Sequence, residues 1–480
     1  MNLFLFHRDL RIIDNTSLIF QLEQIQDLEN NDVVPIFIFP PEQINPKTNE
    51  YFSNNCVQFM IETLHELSDD IKKKKGKLYF FKGDTLDILK KINKKIGIDS
   101  VAFNIDYTPY ARKRDEDIKE WCEENEIDCY TKEDYLLHDI LNGDTKKADK
   151  TPYLVFTPFR NYCMDNLKVR EVNNFKNFRF TKISKLEKIK NYLTEEDIDD
   201  FYENNEFINV HGGRTNGLNI IKSIGNFKDY SKERDNLVYK TTFLGAHLKF
   251  GSISIRETYH KTLDKLGKKS GLINEYYWRD FYANITYEFP RVLQGQLKGK
   301  NKSYKEEYDN IKWSYNKKTF EKWCNGQTGF PVVDAAMNQM NKTGYMHNRC
   351  RMIVASFLTK DLHLDWRMGE KYFASKLIDY DPINNSGGWQ WSTGCGTDAQ
   401  PYFRIFNPWS QTEKFDPDCK YIKKWIPELE NVDNNDIINW FKPEINKKWL
   451  DQGINYYKPI VNHDEERLET LKLYKSGLNK

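Results

Sequence analysis

The chain has 480 residues, enough for two or three domains that each bury a core. Hydrophobic residues make up 39% and charged residues 30%, as in a globular protein, and no window holds the roughly 18 apolar residues of a membrane helix. Because the net charge is only +1, any binding to a polyanion must come from a local patch. Eight scattered cysteines without a C-x-x-C pair favour reduced thiols and argue against a zinc site. The amino terminus lacks the features of a signal peptide, so we expect a cytoplasmic protein, or a nuclear one in a eukaryotic or viral setting.

The first part of the chain alternates short apolar or β-rich runs with helical patterns. The predicted strands are residues 2–6, 33–39, 78–82, 100–105 and 127–131. The predicted helices between them are residues 15–26, 54–74, 85–96 and 110–125. Strand alternating with helix is typical of a doubly wound parallel sheet. Residues 1–131 are therefore predicted to form an α/β domain.

The rest of the chain changes character twice. Residues 132–205 lose the strand–helix alternation and carry Lys-rich and acidic runs, so we interpret them as an interdomain connector with some helix. Residues 206–480 follow a helical pattern and predict an all-α domain, with a polar, frayed tail from about residue 445. The predicted helices are residues 214–224, 246–264, 272–286, 330–342, 345–361, 368–378 and 416–425.

A charged loop, FHRDLRIIDNTSL (residues 6–18), follows the first predicted strand. Asp14 or Asn15 suits the cap of the next helix, which is the ordinary interpretation of such a loop. Ligands also bind at the carboxyl ends of parallel strands, so the loop is a candidate for binding as well. A formal G-x-G-x-x-A match beginning at Gly394 follows two tryptophans and no apolar strand, so we discard it as a dinucleotide fingerprint.

Two segments of the helical half combine hydroxyl, carboxylate and aromatic groups. Thr241 and Thr242 precede a predicted helix, where hydroxyls either cap the helix or bind a phosphate. One face of the next helix carries Glu275, Trp278 and Arg279 at i, i+3 and i+4. That face is either a surface ion pair over an indole, or a carboxylate and a stacking platform for a nucleobase.

The densest polar stretch runs from residue 345 to residue 408. Polar groups and indoles at this density are costly to bury unless each donor and charge has a partner, so the stretch is predicted to be a site. One helix face there carries Asn348, Arg349 and Met352. Arg351 points to another side and needs a carboxylate, for which Asp379 and Asp381 are the candidates. An acidic, Asn- and Gly-rich loop is expected to lead from these aspartates into two tryptophans.

A basic strip lies in the middle of the helical half. Residues 291–318 contain eight basic and only three acidic residues, with Trp313 among them. Such a run is either a solvated face or a strip that contacts phosphates in an otherwise neutral protein.

Taken together, these segments resemble the photolyase/cryptochrome family over residues 1 to about 430, and most of all its class I cyclobutane pyrimidine dimer DNA photolyases. The motifs that carry the resemblance, in family order, are FHRDLRIIDN, TTFLGAHLKFG, INEYYWRDFY, GYMHNRCRMIVASFLTKDLHLDW, INNSGGWQWSTGCGTDAQPYFRIFNP and KFDPDCKYIKKWIPEL. The resemblance implies an α/β antenna domain of residues 1–131 and a helical, FAD-binding catalytic domain within residues 206–480.

The resemblance assigns one set of residues to FAD, which would act in its reduced form, FADH−. The implied FAD-binding residues are Tyr230, Thr241, Thr242, Arg351, Asp379, Asp381 and Asn385. Asn385 would face flavin N5, where plant-type cryptochromes have Asp and insect-type ones have Cys. The implied electron-transfer relay is Trp389, Trp366 and Trp313.

A second set is assigned to damaged DNA. The implied catalytic residues of the lesion pocket are Glu275, Trp278, Asn348, Met352 and Trp391. The implied DNA-binding residues are Arg234, Arg279 and Arg349. The (6-4) photolyases carry histidines at the positions of Asn348 and Met352, so the resemblance favours the cyclobutane lesion.

The chain departs from the family pattern at three positions. Gly245 stands where the family usually has Ser in the phosphate-binding turn, and Leu272 where a tryptophan is often found near the adenine. The segment of residues 104–115 resembles the part that binds a second, antenna chromophore. Ala111 occupies the position of a glutamate that grips folate in folate-binding members, so a folate, a deazaflavin, a flavin or no antenna all stay open.

The implied activity is a light-driven carbon–carbon lyase reaction. Excited FADH− gives an electron to a flipped-out pyrimidine dimer, the cyclobutane bonds split, and the electron returns. The implied partner is double-stranded DNA that contains pyrimidine dimers, without a membrane or a metal, and we expect a monomer. The alternatives are a cryptochrome-like blue-light photoreceptor without repair activity, a (6-4) photolyase, and a repair enzyme restricted to single-stranded DNA.

Overall fold

The computed structural model describes residues 1–29, 31–175, 178–296 and 300–478. Within these residues, the amino-terminal part is built on one six-stranded sheet. The strands are β1 Asn2–Phe6, β2 Val33–Phe39, β3 Tyr79–Lys82, β4 Ser100–Ile105, β5 Asp128–Glu133 and β6 Tyr192–Leu193. Their spatial order is β5-β4-β1-β2-β3-β6, with β1 to β5 parallel and β6 antiparallel to β3. The predicted doubly wound parallel sheet is confirmed.

Helices connect the strands of this sheet. They are α1 Thr16–Ile25, α2 Pro41–Ile44, α3 Asn54–Lys73, α4 Thr85–Ile96 and α5 Pro109–Glu124. Every residue of β1 and β2 is buried, which explains why these strands are continuously apolar instead of alternating. Polar caps fix the helix starts: the Asn15 side chain accepts from the Leu18 amide at α1, and Thr108 accepts from the Ala111 amide at α5, both at 3.3 Å. Apart from the short α2, these elements match their predictions closely.

The segment between the sheet and the helical half is ordered and adds to the sheet. It contains helix α6 Phe156–Asn166, a 3-10 turn at Ser184–Lys188, strand β6 and helix α7 Glu195–Asp199. β6 pairs with β3 and so covers that edge of the sheet. The prediction for residues 132–205 anticipated some helix but missed this strand, because two residues are too few to show a period. The domain limits at residues 131 and 205 stay a prediction.

The remaining described residues form a helical half. Its first helices are α8 Arg214–Lys222, α9 Tyr230–Glu233, α10 Gly245–Phe250, α11 Ile255–Leu266, α12 Gly271–Glu288, α13 Lys317–Cys324, α14 Pro331–Thr343 and α15 Asn348–Lys360. They are followed by α16 Trp366–Lys376, α17 Pro382–Thr393, α18 Pro408–Phe415, α19 Lys420–Trp425, α20 Asn434–Ile438, α21 Pro443–Asp451 and α22 His463–Gly477. Short 3-10 turns lie at Ile224–Phe227, Pro290–Gln296, Glu306–Asn310 and Pro427–Leu429. The predicted all-α character of this half is confirmed.

Two predictions about the site-bearing helices are wrong in detail. The helix predicted over 246–264 is two helices, because Gly251 takes a φ of 64° and a Cβ built there would lie 2.5 Å from the Arg8 carbonyl oxygen. The loop expected before the two tryptophans is instead the first half of α17. Asp381 caps that helix and Pro382 starts it, a favourable pair of residues for a helix start.

Two predictions near the carboxyl end are also wrong. The helix predicted over 416–425 begins later than expected, since α18 ends at Phe415 and α19 begins only at Lys420, with Cys419 at a φ of 51° before it. The tail predicted to be frayed forms α21 and α22, and Thr470 and Tyr474 on α22 are fully buried. Its many exposed polar residues concealed these few inward anchors.

None of the helices in the described residues is long and apolar enough to span a bilayer.

A buried ion cluster joins the sheet to the helical half. Arg256 on α11 donates from Nε to Asp14 Oδ2 at 2.8 Å and from Nη2 to Asp134 Oδ1 at 2.7 Å. Arg11 donates from Nη2 to the other oxygen of Asp134 at 2.7 Å. Burial alone would favour the neutral acid, but the two guanidinium groups hold the pKa of Asp134 well below its usual range. The loop after β1, the segment after β5 and α11 are thus held together.

Candidate active site

The helical half contains a cavity of about 470 Å³, within the usual range for cofactor sites. Helices α12, α15 and α17 supply much of its wall. The predicted site residues in that wall are Tyr230, Arg234, Thr242, Glu275, Trp278, Arg279, Asn348, Arg351, Met352, Asp379, Asp381, Asn385, Trp389 and Trp391. The predicted residues outside it are Thr241, Arg349, Trp313 and Trp366. Sequence segments as far apart as 230 and 391 therefore meet around one space.

An ion pair organises one part of the wall. Arg351 Nη2 lies 2.9 Å from Asp379 Oδ2, and Arg351 Nε donates to the Met346 carbonyl oxygen at 2.9 Å. Desolvation opposes the charge on the guanidinium, but Asp379 raises the pKa of Arg351 above its ordinary value. Gly245 lies against this pair, because a Cβ built there would stand 3.0 Å from Asp379 Oδ2. The missing side chain at position 245 thus leaves room for the pair.

Asp381, the other candidate partner of Arg351, pairs with Arg8 instead. Its Oδ1 accepts from the Asn384 amide at 3.0 Å and caps α17, while its Oδ2 accepts from the Tyr135 hydroxyl at 2.7 Å and from Arg8. Burial alone would keep this acid neutral, but the Arg8 guanidinium lowers the pKa of Asp381 to about 2. Both carboxylate oxygens are engaged within the protein, which fixes the first turn of α17.

Asn385, one turn into α17, is oriented by Glu370 of α16. Its Nδ2 lies 3.0 Å from both the carbonyl oxygen and Oε1 of Glu370. Since both amide hydrogens point to α16, the Asn385 amide oxygen is the group left for the cavity. Burial raises the pKa of Glu370 to about 7, against the pull of the hydrogen bond from Asn385. A ligand in the cavity can therefore donate a hydrogen bond to the Asn385 amide oxygen.

A stacked aromatic pair and an ion pair form the α12 side of the wall. The Trp278 indole is stacked on the Phe156 ring, with centroids 3.8 Å apart and planes at 7°. Glu275, one turn earlier, pairs with Arg234 at 2.5 Å. Desolvation raises the pKa of Glu275, and Arg234 opposes the rise. A flat indole beside a carboxylic group can hold a planar polar ligand by stacking and by hydrogen bonds along one edge.

The predicted lesion residues of α15 and α17 also line the cavity. Asn348 is exposed at the start of α15, and its Nδ2 lies 3.8 Å from Met352 Sδ one turn later. Trp391 on α17 is half-buried. Arg349 stands beside the cavity and pairs with Asp235 Oδ2 at 2.7 Å. Its charge is therefore compensated in this structure and needs a rearrangement before it can reach a phosphate.

The hydroxyl groups before α10 have separate partners. The Thr242 hydroxyl accepts from the Leu244 amide at 3.4 Å in the turn before α10, and no side chain among the described residues caps the helix itself. The Thr241 hydroxyl lies 2.9 Å from the Tyr345 hydroxyl, outside the wall. Tyr230 lines the cavity with Thr242, so one of the two predicted threonines reaches it.

The three predicted relay tryptophans are buried. Trp389 lines the cavity and packs edge-on against Phe373, with centroids 5.0 Å apart. Gly369 of α16 touches the same indole so closely that an added Cβ would stand 2.1 Å from its Cη2. Trp366 begins α16, and the residue after Trp313 is bridged to residue 364, just before that helix. The three indoles therefore lie on segments that pack in succession behind the cavity.

Arg279 departs from its prediction. Its side chain is 9% exposed, and it donates to the carbonyl oxygens of Tyr135 at 2.6 Å and Leu248 at 3.2 Å. The guanidinium also lies 3.4 Å from the centroid of the Tyr135 ring. Its donors are directed at the protein interior in this structure, so the predicted DNA contact would require the side chain to rearrange. Arg279 instead braces the cavity wall.

The basic strip of residues 291–318 is less available than predicted. Arg291 pairs with Glu306, and Lys305 donates to a backbone carbonyl after α17 at 3.0 Å. Lys298 lies outside the described residues. The strip therefore keeps a smaller number of cations for phosphates than its sequence indicates.

A second cavity, of about 700 Å³, opens at the carboxyl ends of the parallel strands. Its wall includes parts of the loop of residues 6–18 and of the segment of residues 104–115. Both ring nitrogens of His7 are buried there and have no hydrogen-bond partner among the described residues. Burial lowers the pKa of His7, so the imidazole is neutral and offers one donor and one acceptor. Tyr380 and Lys249 line both cavities, which are therefore neighbours.

The sequence of this chain is similar to those of known proteins. A family model described as the FAD binding domain of DNA photolyase matches residues 272–476, and one described as DNA photolyase matches residues 2–176. A curated deoxyribodipyrimidine photo-lyase from Agrobacterium fabrum is 32% identical over 98% of this chain and 96% of its own length. The chain belongs to the DNA photolyase family.

Solved structures related to this photolyase-family chain have the same architecture. An archaeal photolyase from Sulfolobus tokodaii, with two FAD molecules and an implied novel light-harvesting cofactor, is 37% identical. It superposes with a TM-score of 0.86 and covers 99% of this chain and 100% of its own. A cryptochrome from Synechocystis sp. PCC6803 is 25% identical, with a TM-score of 0.85 over 98% of this chain and 99% of its own.

Some residues that shape the site were missed from the sequence. Glu370, Phe156 and Tyr135 each reach the cavity residues from a distant segment, and nothing in their local pattern distinguishes them. Arg8 was within reach of prediction, because its loop is unusually charged and a buried guanidinium must find carboxylates. Its partners come from other segments, however, and only the fold identifies them.

Proposed function

We propose that this chain is a deoxyribodipyrimidine photo-lyase, a light-driven enzyme that splits cyclobutane pyrimidine dimers in double-stranded DNA. The observation that carries the proposal is a single cavity whose wall collects most of the residues matched to FAD and the five matched to the lesion pocket. The relative from Agrobacterium fabrum bears the name of this activity over nearly the same length of chain. Since the proposed substrate is damaged double-stranded DNA, the enzyme would work inside the cell, and we propose that it acts as a monomer.

The first cavity suits FAD. Gly388 of α17 lines it, and a Cβ built there would meet nothing within 4 Å, so the helix backbone borders open space. The Arg351–Asp379 pair, Tyr230 and the Asn385 amide oxygen would hold the cofactor. Bound FAD supplies the light absorption and the transferable electron. The task of the chain is to bind and orient it and to keep water out.

The lesion would bind against the indoles of Trp278 and Trp391. Trp278 is held flat by Phe156, so little ordering cost remains when a pyrimidine stacks on it. Glu275 would hydrogen-bond the carbonyl edge of the dimer, and the desolvation that raises the pKa of this carboxyl favours the proton that such a hydrogen bond needs. Flipping the dimer out of the duplex costs a few kcal/mol, and less for a damaged pair that stacks poorly.

The partner of Glu275 suggests how DNA engages. Arg234 is half-exposed and pairs with Glu275 in this structure. When Glu275 turns to the dimer, Arg234 would be released to a phosphate and add salt-dependent affinity. Behind the cavity, Trp389, Trp366 and Trp313 would carry electrons to the flavin, because buried indoles on adjoining elements suit stepwise transfer.

The second cavity suits an antenna chromophore. It adjoins the first, it contains the unpaired imidazole of His7, and its wall includes Ala111 in place of a folate-gripping glutamate. A planar heteroaromatic such as a flavin or deazaflavin fits these features better than a folate. The relative from Sulfolobus tokodaii holds two FAD molecules.

A light sensor without repair activity is the second candidate, favoured by the similarity to the Synechocystis cryptochrome. The two functions differ in a direct assay. The purified protein, with FAD bound and reduced, is illuminated with a duplex that carries one thymine dimer, and the restored thymines are counted. We expect restoration in light and none in darkness.

Two controls make the assay decisive. A duplex with a (6-4) adduct should stay unrepaired, since Asn348 and Met352 cannot supply the proton chemistry of histidines. Trp278→Ala should lower dimer binding while FAD stays bound. If reduced, FAD-loaded protein bound the duplex and restored no thymine, the repair proposal would be wrong and the sensor would take its place.

A further inference from the structure

Arg8 stands between the two cavities and touches a carboxylate of each wall. Its Nη1 lies 3.3 Å and 3.2 Å from the two oxygens of Asp106, which lines the second cavity. Its Nη2 donates to Asp381, which lines the first cavity. The guanidinium also lies 3.9 Å from the Tyr135 ring centroid, and Nε donates to the Lys249 carbonyl oxygen at 3.3 Å. A planar group with donors on both sides is thus held in one orientation.

Each carboxylate that Arg8 touches lies at a helix start or in the turn just before one. Asp381 caps α17, whose side chains Asn385 and Trp389 line the first cavity. Asp106 accepts from the Tyr107 amide at 2.6 Å, in the turn that leads into α5 and forms part of the second wall. Side-chain exposures of 12% for Asp106, 15% for Arg8 and 4% for Asp381 leave the three charges poorly solvated. A shift of the Asp106 turn must therefore move Arg8 or leave a charge uncompensated.

We propose that Arg8 couples the two cavities, so that a planar heteroaromatic ligand in the second cavity and FAD in the first strengthen each other's binding. The ligand would order the Asp106 turn, Asp106 would hold Arg8, and Arg8 would hold the Asp381 cap of α17. Coupling of this kind is reciprocal, because both ligands favour the same arrangement of one shared element. The identity of the second ligand rests on the proposed function, whereas the link from Asp106 to the FAD cavity does not.

The link is tested by variants on the side remote from FAD. The release of FAD from the holoenzyme in darkness is followed by the rise of free-flavin fluorescence after dilution. We expect Asp106→Ala to accelerate release at least about fivefold, the lower end of ordinary coupling between sites. Asp117→Ala, an equal truncation of a partly exposed carboxylate on α5, is the matched control and should leave the rate unchanged.

A double-mutant cycle separates coupling from general loosening. Arg8→Met should accelerate FAD release at least as much as Asp106→Ala, and the double variant should be no faster than Arg8→Met alone. Arg8→Lys keeps the charge and the fold but cannot bridge two carboxylates, so it should behave like Asp106→Ala. Additive effects in the double variant, or an Asp106→Ala rate equal to that of Asp117→Ala, would overturn the proposal.

A ligand arm uses FMN as the probe, with FMN binding to the FAD-loaded holoenzyme measured by equilibrium dialysis. We expect FMN to slow FAD release in the natural protein and to have no such effect in Arg8→Met. Equal slowing in both proteins would refute coupling through Arg8. If FMN did not bind, the proposed flavin-type antenna would be wrong, and the variant cycle would still decide whether Arg8 couples the cavities.

Discussion

Replacing Glu370 with Gln should remove a pH dependence that this buried acid imposes on stability. Glu370 is 1% exposed on α16, and burial raises its pKa from the ordinary 4.5 to about 7. As the pH rises, the carboxyl ionises near pH 4.5 in the unfolded chain but only near pH 7 in the folded protein. Between these two pH values the folded protein therefore binds one proton more than the unfolded chain. The contribution of Glu370 to the free energy of unfolding is therefore fully kept below pH 4.5 and declines as the pH rises towards 7.

The size of the effect follows from the two pKa values. Ionising Glu370 in the folded protein costs about 3 kcal/mol above pH 7, of which about 2.5 kcal/mol develops between pH 5 and pH 8. Glu370→Gln keeps an oxygen that can accept from Asn385 and has no proton to lose. Relative to the natural protein, the variant should gain about 2.5 kcal/mol in free energy of unfolding between these two pH values.

Urea unfolding at pH 5 and pH 8, with equal FAD content, measures this difference directly. Comparing the two proteins cancels the other buried acids, which titrate in both. Glu321→Gln changes an exposed carboxyl of α13 and should show no such gain. If the gap between Glu370→Gln and the natural protein were the same at both pH values, Glu370 would not be the buried acid described here.

Three further predictions concern packing and charge. Arg256→Met should lower the free energy of unfolding by about 3–5 kcal/mol, since it leaves buried carboxylates short of a partner; urea unfolding measures this. Phe156→Ala should weaken binding of dimer-containing duplex about 2- to 10-fold, because Trp278 loses its stacked neighbour; fluorescence anisotropy measures this. Gly369→Ala should cost about 1–3 kcal/mol and slow light-driven reduction of the flavin, because the new methyl displaces Trp389; urea unfolding and flavin absorbance measure these.

Each has a matched control and a result that contradicts it. Arg160→Met removes a partly exposed guanidinium on α6. If it lowered the free energy of unfolding as much as Arg256→Met does, the loss could not be attributed to the buried cluster. Unchanged duplex affinity in Phe156→Ala would mean that Trp278 does not stack on the lesion. Gly388→Ala, on the open side of α17, should not lower the stability of the FAD-free protein, since alanine favours a helix more than glycine does; a cost equal to that of Gly369→Ala would mean that contact with the indole is not its cause.

The sheet was predictable because its signal is local. Five strands are short apolar or β-rich runs of the right length, and several of the helices between them start at a polar cap such as Asn15 or Thr108. The helix limits of the helical half were harder to predict. Gly251 looks like any helix-interior glycine in the sequence, and only the close approach of the loop after β1 shows why the chain must break there.

The site was predictable as a set of residues, largely through the family resemblance, and not as a set of partners. Arg351 needed a carboxylate and two were in reach, but the choice of Asp379 over Asp381 depends on Arg8, some 370 residues away in the chain. Arg279 shares a helix face with Glu275 and Trp278, yet it turns inward because two free carbonyl oxygens lie there. The spacing of residues along a helix does not show which groups from distant segments of the chain pack against it.

The buried ion cluster also bears on whether the α/β half can exist alone. Asp14, Asp134 and Arg11 belong to the sheet side, and Arg256 is contributed by the helical side. An isolated fragment that ends before Arg256 would lose one of the two guanidinium partners of these acids together with the helix that packs over them. Water would then reach Asp14 and Asp134 and the loop after β1 would lose much of its support, so an α/β unit that looks self-sufficient in the sequence would depend on its neighbour to keep this loop in place.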